Sequence, residues 1–273
     1  MIDITFFWIS FWLYLAGFLL FIIYYSLNRK ILSKVALWVF GAGLISHTVA
    51  IILRWRLSGH DPWTNMYEYI SVMAWTSVLA MIIIIKKFKN PVLGVCLSPI
   101  SFLLISIGSL LPKDINNQLV PALQSVWLSI HVSLSIIGEG AFAVAFGVSI
   151  MYLIKSKKKS THKKGSHYSR LPSLELLDEI NYKAISIGYP VFTVGALIAG
   201  AIWASKAWGS FWSWDPKEVS ALIIWIFYTI YLHARFQKGW KGNKAAVMSI
   251  IGFLVTLLSF FGNYILGGLH SYA

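Results

Sequence analysis

Phe6-Phe-Trp-Ile-Ser-Phe-Trp-Leu-Tyr-Leu-Ala-Gly-Phe-Leu-Leu-Phe-Ile-Ile-Tyr-Tyr-Ser-Leu27 contains no charged side chain. A helix of this length, at about 1.5 Å per residue, crosses a hydrocarbon core of roughly 30 Å. Apolar residues follow one another without alternation, which excludes a barrel strand. Lipid gives backbone N–H and C=O groups no partner, so the segment satisfies them itself as a helix. Seven further segments read the same way: Val35–Leu53, Tyr69–Ile85, Val92–Leu110, Val126–Ile154, Ala184–Ala204, Val219–Arg235 and Ala245–Leu266. The fifth is long enough to tilt or to project beyond the bilayer. The expected fold is all-α: a polytopic membrane bundle of about eight transmembrane helices, one integral membrane domain over residues 1–273. Asp3 precedes the first run, with no basic leader and no small-residue cleavage site behind it, so this run reads as a retained span.

Composition agrees. Of 273 residues, 58% are hydrophobic and only 12% charged, values of membrane proteins and not of soluble domains. The net charge of +13 does not call for nucleic acid. Eighteen of the 23 Lys and Arg residues fall in the loops after spans one, three, five and seven, which puts those loops on the cytoplasmic face. Both termini are then outside. So is the loop of about 205–218. The basic inner loop Lys155–Arg170 is a solvated run that can also touch anionic lipid. After it, Ser173 is placed to cap a short amphipathic helix along the inner interface, with Leu174, Leu177 and Ile180 on one side. Cys96 is the single cysteine, so no disulfide framework, CxxC pair or thiolate metal site can be built within one chain.

The outer loop reads Trp208-Gly-Ser-Phe-Trp212-Ser-Trp214-Asp215-Pro-Lys217-Glu218. Three indoles and a phenyl ring there offer either a stacking surface for a planar apolar ligand or an interfacial anchor. Histidine placement distinguishes the two. His131 begins span five and His270 follows span eight, both on the face of the tryptophan loop. Two neutral imidazoles flanking an aromatic surface suit axial coordination of a haem iron. His47 and His233 lie inside spans two and seven, on the order of 10–14 Å and 20 Å deep at 1.5 Å per residue. They form either a second bis-imidazole site or ordinary interhelical hydrogen bonds. His60 ranks below His131 and His270 as an outer ligand. Arg54 and Arg56 are positioned for haem propionates or lipid phosphate. Glu139, deep in span five, can orient an imidazole, move a proton, or stay neutral and hydrogen-bonded. The loop holds no nucleophile or acid–base pair, so no catalytic residue is assigned. Asp215, Lys217 and Glu218 either brace the loop or meet propionates.

Trp208-Gly-x-x-Trp212-x-Trp214-Asp215-x-Lys217-Glu218, with Trp225 and Tyr231-Leu-His233-x-Arg235, resembles the WWD signature of haem-handling proteins. Gly59-His-Asp-Pro62, Asn65-x-Tyr67-Glu68 and the ending Asn263-Tyr-x-x-Gly267-Gly-Leu-His270-Ser-Tyr-Ala are similar to one branch, the CcsA/ResC type of system II cytochrome c biogenesis. The resemblance implies haem delivery to the outer face and covalent attachment to apocytochrome c, as a component of a cytochrome c synthase. Haem b is then substrate and bound ligand. His131 and His270 would be the outer ligands, His233 an intramembrane ligand and His47 its partner. Trp208, Trp212, Trp214 and Asp215 would line the haem. The resemblance also implies a CcsB/ResB-type membrane partner, an apocytochrome Cys-x-x-Cys-His segment, and a thioredoxin-like reductant for its thiols. The location would be a cytoplasmic membrane, with a plastid thylakoid as the second option. The alternatives are a CcmC-type protein that loads haem onto a chaperone, and a diheme b-type electron-transfer subunit. Eight spans disfavour the first; two histidines outside the hydrocarbon disfavour the second.

Overall fold

The computed structural model describes residues 2–115, 119–157 and 170–266. Among them the helices are α1 (Ile2–Leu27), α2 (Lys30–Ser58), α3 (Met66–Phe88), α4 (Leu93–Leu110), α5 (Val126–Lys157), α6 (Leu174–Phe192), α7 (Gly200–Trp208), α8 (Pro216–Gln237) and α9 (Asn243–Leu266). A π-helical turn, Thr193–Ala199, joins α6 to α7, so Leu174–Trp208 is one continuous span. Seven segments are long and apolar enough to cross a membrane. The 24 residues of α9 would reach about 36 Å at 1.5 Å per residue, in keeping with the eight expected. Large apolar side chains such as Trp38, Leu110 and Leu258 lie exposed on these helices, as lipid-facing residues do.

Two compact units emerge: Met1–Asn117 with Ile150–Leu177, and Gln118–Ser149 with Asp178–Ala273. In the first, α1 packs on α2 and α4, and α3 packs on α2 and α4. The buried side of α1 follows helical spacing: Phe7, Ser10, Tyr14, Gly17, Phe21 and Tyr24. Lipid supplies no hydrophobic drive between helices, so close fit does the work. Rings seat against glycines: a Cβ on Gly17 would lie 2.6 Å from the Phe40 ring, on Gly43 2.7 Å from Tyr14, and on Gly94 2.4 Å from Phe21.

At one end of this unit Arg54 ties four segments together. Its Nε donates to Glu68 at 2.9 Å, and its Nη atoms donate to Asp3 at 3.4 Å and to the carbonyls of Lys113 and Asp114 at 2.6 and 2.5 Å. The Tyr67 ring lies 5.3 Å from its guanidinium carbon. Glu68 also accepts from the Thr64 N–H and hydroxyl, both at 3.0 Å, and Asn65 caps α3 by accepting from the Glu68 N–H at 2.9 Å. Arg54 is 3% exposed, so its fork serves the fold; of the two arginines, only Arg56 is exposed and open to a propionate or lipid phosphate. Nearby, the Lys113 ammonium donates to the Ser109 and Leu111 carbonyls at 2.6 and 3.0 Å, and burial holds its pKa below the usual lysine value.

In the second unit, α5 and the α6 span meet backbone to backbone. A Cβ on Gly138 would lie 2.9 Å from the Phe192 amide nitrogen, and one on Gly195 2.7 Å from that of Ser135. Gly138→Ala therefore forces backbone apart, and we expect a loss of roughly 1–3 kcal/mol. Gly41→Ala is the control: no atom lies within 4 Å of its Cβ, so helix propensity alone predicts about a 1 kcal/mol gain. Thermal unfolding in detergent should move the two variants in opposite directions.

The acidic segment after Ser173 is not a separate interfacial helix. Ser173 does cap it, accepting from the Leu176 N–H at 3.1 Å, but the helix runs unbroken into the span. Its acid Asp178 accepts from both Nη atoms of Arg235 at 2.8 and 2.5 Å and from the Gly242 N–H at 2.9 Å, which anchors the loop between α8 and α9.

Candidate haem-ligand site

The π-turn is what brings His131 to the tryptophan loop. Pro190 lies inside α6 and has no N–H to give the carbonyl four residues back, so regular helix is already weakened there. Beyond it the chain takes an extra residue per turn, and the Gly200 N–H reaches the carbonyl of Gly195. That carbonyl also meets Nδ1 of His131 at 2.9 Å. A carbonyl oxygen can only accept, so Nδ1 carries the proton and Nε2 of the neutral ring carries the lone pair. Metal-binding histidines have this arrangement: one nitrogen anchored to an acceptor, the other presented to the metal.

Trp203 holds the ring in plane. Its indole stacks on His131 with centroids 5.7 Å apart and planes 7° from parallel. Its Nε1 donates to the Ala122 carbonyl at 2.8 Å, and it is 2% exposed. Trp208 meets the same indole edge-on, centroids 4.8 Å apart. His131, Trp203 and Trp208 thus form one continuous row of rings. Gly209, in the left-handed region at φ 81°, ends α7 and turns the chain into the loop.

The loop is braced from α8. Asp215 caps that helix, accepting from the Lys217 N–H at 2.9 Å, with Pro216 at the first helical position. Glu218 reaches back to the N–H groups of Ser213 at 2.8 Å and Asp215 at 3.3 Å, completing a capping box. Between these anchors Trp214 sits at φ 60°, a left-handed conformation costing a bulky residue roughly 1–2 kcal/mol. Its ring is 72% exposed and that of Phe211 64%. Trp212 and Trp214 stand at 90° with centroids 5.7 Å apart, so their indoles form a corner and not a flat shelf. Glu218→Ala removes the brace. We expect a loss of about 1 kcal/mol from the start of α8 and faster amide exchange at 213–215, read by hydrogen exchange.

A family model described as "Cytochrome C assembly protein" matches residues 63–270, about three-quarters of the chain. The chain belongs to this cytochrome c assembly family. It is 40% identical over 230 residues to the cytochrome c biogenesis protein CcsA of Chlamydomonas reinhardtii, covering 81% of this chain and 64% of that relative. It is 38% identical over 248 residues to CcsA of Prochlorococcus marinus strain MIT 9301, covering 82% and 80%. Among solved structures it is similar to the cytochrome c heme lyase CcmF, with a TM-score of 0.69, 16% identity, and 97% of this chain covered against 49% of that one. That likeness concerns the fold.

Within this assembly-family chain the structure describes two of the other three expected ligands. His270 lies outside the described residues. His47 belongs to the first unit and is fully buried. Its Nε2 faces the Ser71 hydroxyl at 2.9 Å and its Nδ1 the Tyr14 hydroxyl at 3.3 Å. His233 belongs to the second unit and is exposed on α8. Its neighbours Tyr231 and Arg235 take the buried side, where Tyr231 donates to Asn181. His60 bonds locally, its Nδ1 donating to the Asp61 carbonyl at 3.0 Å. Glu139 is 4% exposed and within electrostatic range of Lys217 and Tyr228.

Trp203 and the Gly195 carbonyl escaped the sequence reading. Trp203 looks like any apolar residue of a span, five positions before Trp208. The one available signal was Pro190 followed by glycines at 195 and 200, which marks an irregular helix but not its purpose.

Proposed function

We propose that this chain presents haem to apocytochrome c at the tryptophan loop, as a component of a cytochrome c synthase. The observation that carries this reading is the His131 ring, anchored through Nδ1 on the Gly195 carbonyl and stacked on Trp203, which in turn meets Trp208 at the edge of that loop. Haem is the substrate, bound as haem b. His131 would ligate its iron through Nε2 and His270 would ligate the opposite side. Trp208, Trp212 and Trp214 would enclose the porphyrin, with exposed Trp214 and Phe211 offering it apolar surface. Asp215 serves through the loop it caps.

The attachment itself adds each S–H of the apocytochrome Cys-x-x-Cys-His segment across a vinyl group, forming a thioether. The nucleophiles belong to the substrate, so a thioredoxin-like reductant must keep them as thiols. This chain contributes positioning and exclusion of water. A CcsB/ResB-type membrane protein is the expected partner. The tryptophan loop faces outside a cytoplasmic or thylakoid membrane, with both termini on that side. His47 and His233 remain the proposed inner pair. His47 would have to release Ser71 and Tyr14 to take part.

The test is reconstitution. The chain is coexpressed with a CcsB/ResB-type partner and a c-type reporter in a strain lacking its own maturation system. Covalent haem on the reporter is then read by haem stain and pyridine haemochrome spectrum. Reporter haem that is equally abundant with the chain omitted would refute the proposal.

A further inference from the structure

We propose that the π-turn Thr193–Ala199, with Gly195 and Gly200, is a positioning device that sets the tautomer and ring plane of His131. Its purpose rests on the haem reading above; its geometry does not.

A regular helix continued past Phe192 would close its own i→i+4 bonds and aim each carbonyl along the axis. The π-turn instead leaves the Gly195 carbonyl accepting from the Gly200 N–H and from His131 Nδ1 together. Space requires the first glycine and leaves little room at the second. A Cβ on Gly195 would press on Leu134 Cβ at 2.6 Å and the Ser135 amide nitrogen at 2.7 Å, so α5 could not come close enough. A Cβ on Gly200 would meet His131 itself, 3.0 Å from Nδ1 and 3.1 Å from Cε1. Trp203, one turn further on, stacks on the ring. Gly195, Gly200 and Trp203 therefore act through His131: one accepts its proton, one leaves it room, one fixes its plane. Free histidine prefers the Nε2–H form, which would present a proton to an iron and not a lone pair. The turn reverses that preference before any ligand arrives. The Nδ1–H bond to a carbonyl also makes Nε2 a stronger donor.

The experiment reads the tautomer directly. Nitrogen NMR is recorded on the haem-free, histidine-labelled full chain in nanodiscs, about two pH units above the ordinary imidazole value. The His131 signals are assigned by difference against His131→Gln. Wild type is expected to show Nδ1 protonated and Nε2 bare. Gly200 has ordinary helical angles, so Gly200→Ala keeps the fold and disturbs only the ring. It should shift His131 toward Nε2–H, and in the haem-loaded complex raise the reduction potential, since a weaker donor stabilises ferric iron less. Gly41→Ala, where no atom crowds the added methyl, should leave the tautomer unchanged.

An Nε2–H signal in wild type would overturn the proposal. So would a Gly200→Ala chain matching wild type in both tautomer and potential. If the NMR follows expectation while His131→Ala binds haem normally, the device stands and the haem reading falls.

Discussion

His131→Ala will lower both copurified haem and reporter cytochrome c yield, and added imidazole will restore the haem. Removing a hydrogen-bond partner behind a metal ligand typically costs 10–100-fold in affinity, so removing the ligand itself should cost at least about tenfold. The space left beside Trp203 matches an imidazole ring, because the indole that stacked on it and the Gly195 carbonyl that accepted from it both stay in place. Exogenous imidazole can refill it and supply the missing nitrogen. The measurement is the absorption spectrum of the purified complex, with and without imidazole, together with haem stain of the reporter. His60→Ala serves as the control. An unchanged spectrum and yield in His131→Ala would end the ligand assignment. His233→Ala asks the separate question about the inner site: normal haem content there would count against the exposed α8 histidine as a ligand.

Arg54→Leu should fail for a different reason, by undoing the first unit. The substitution leaves Glu68, 2% exposed, without the guanidinium that pairs with it at 2.9 Å, takes one of its partners from Asp3, 1% exposed, and removes the donors of two loop carbonyls. Breaking one side of a buried ion pair costs about 3–5 kcal/mol, more than most single changes. The expected result is low accumulation in the membrane and a strongly lowered melting temperature in detergent. Arg54→Lys should be intermediate, because an ammonium keeps the charge but cannot span four acceptors as the planar fork does. Arg54→Met combined with Glu68→Gln should recover part of the loss, since it removes the stranded carboxylate as well. The opposite pattern, a normal melt with weakened haem binding, would return Arg54 to the propionate role.

The bracing role of Asp215 and Glu218 was legible from Asp215-Pro216-Lys217-Glu218, because a capping box is a local pattern four residues long. The same holds for Ser173. The short helix expected after it extends further: nothing local ends it, and its acid Asp178 belongs to a loop anchor on Arg235, 57 residues away. Arg54 and Arg56 looked equivalent in sequence. Only packing decided that one is enclosed and the other exposed. The aromatic loop reads in sequence as a stacking surface or an anchor, and the structure sets Trp212 and Trp214 at 90°, a corner.

From its sequence alone this chain was bound to be a helical membrane bundle, since hydrocarbon leaves the backbone no alternative and the apolar runs state their own lengths. Sequence likewise placed His131 and the tryptophan loop at the same end, because span order and length require it. Which nitrogen of His131 bears the proton was decided by tertiary structure, through a π-turn carbonyl 64 residues away that accepts from the ring. Which acceptor meets the ring depends on how two helices pack, and no local pattern of residues carries that packing.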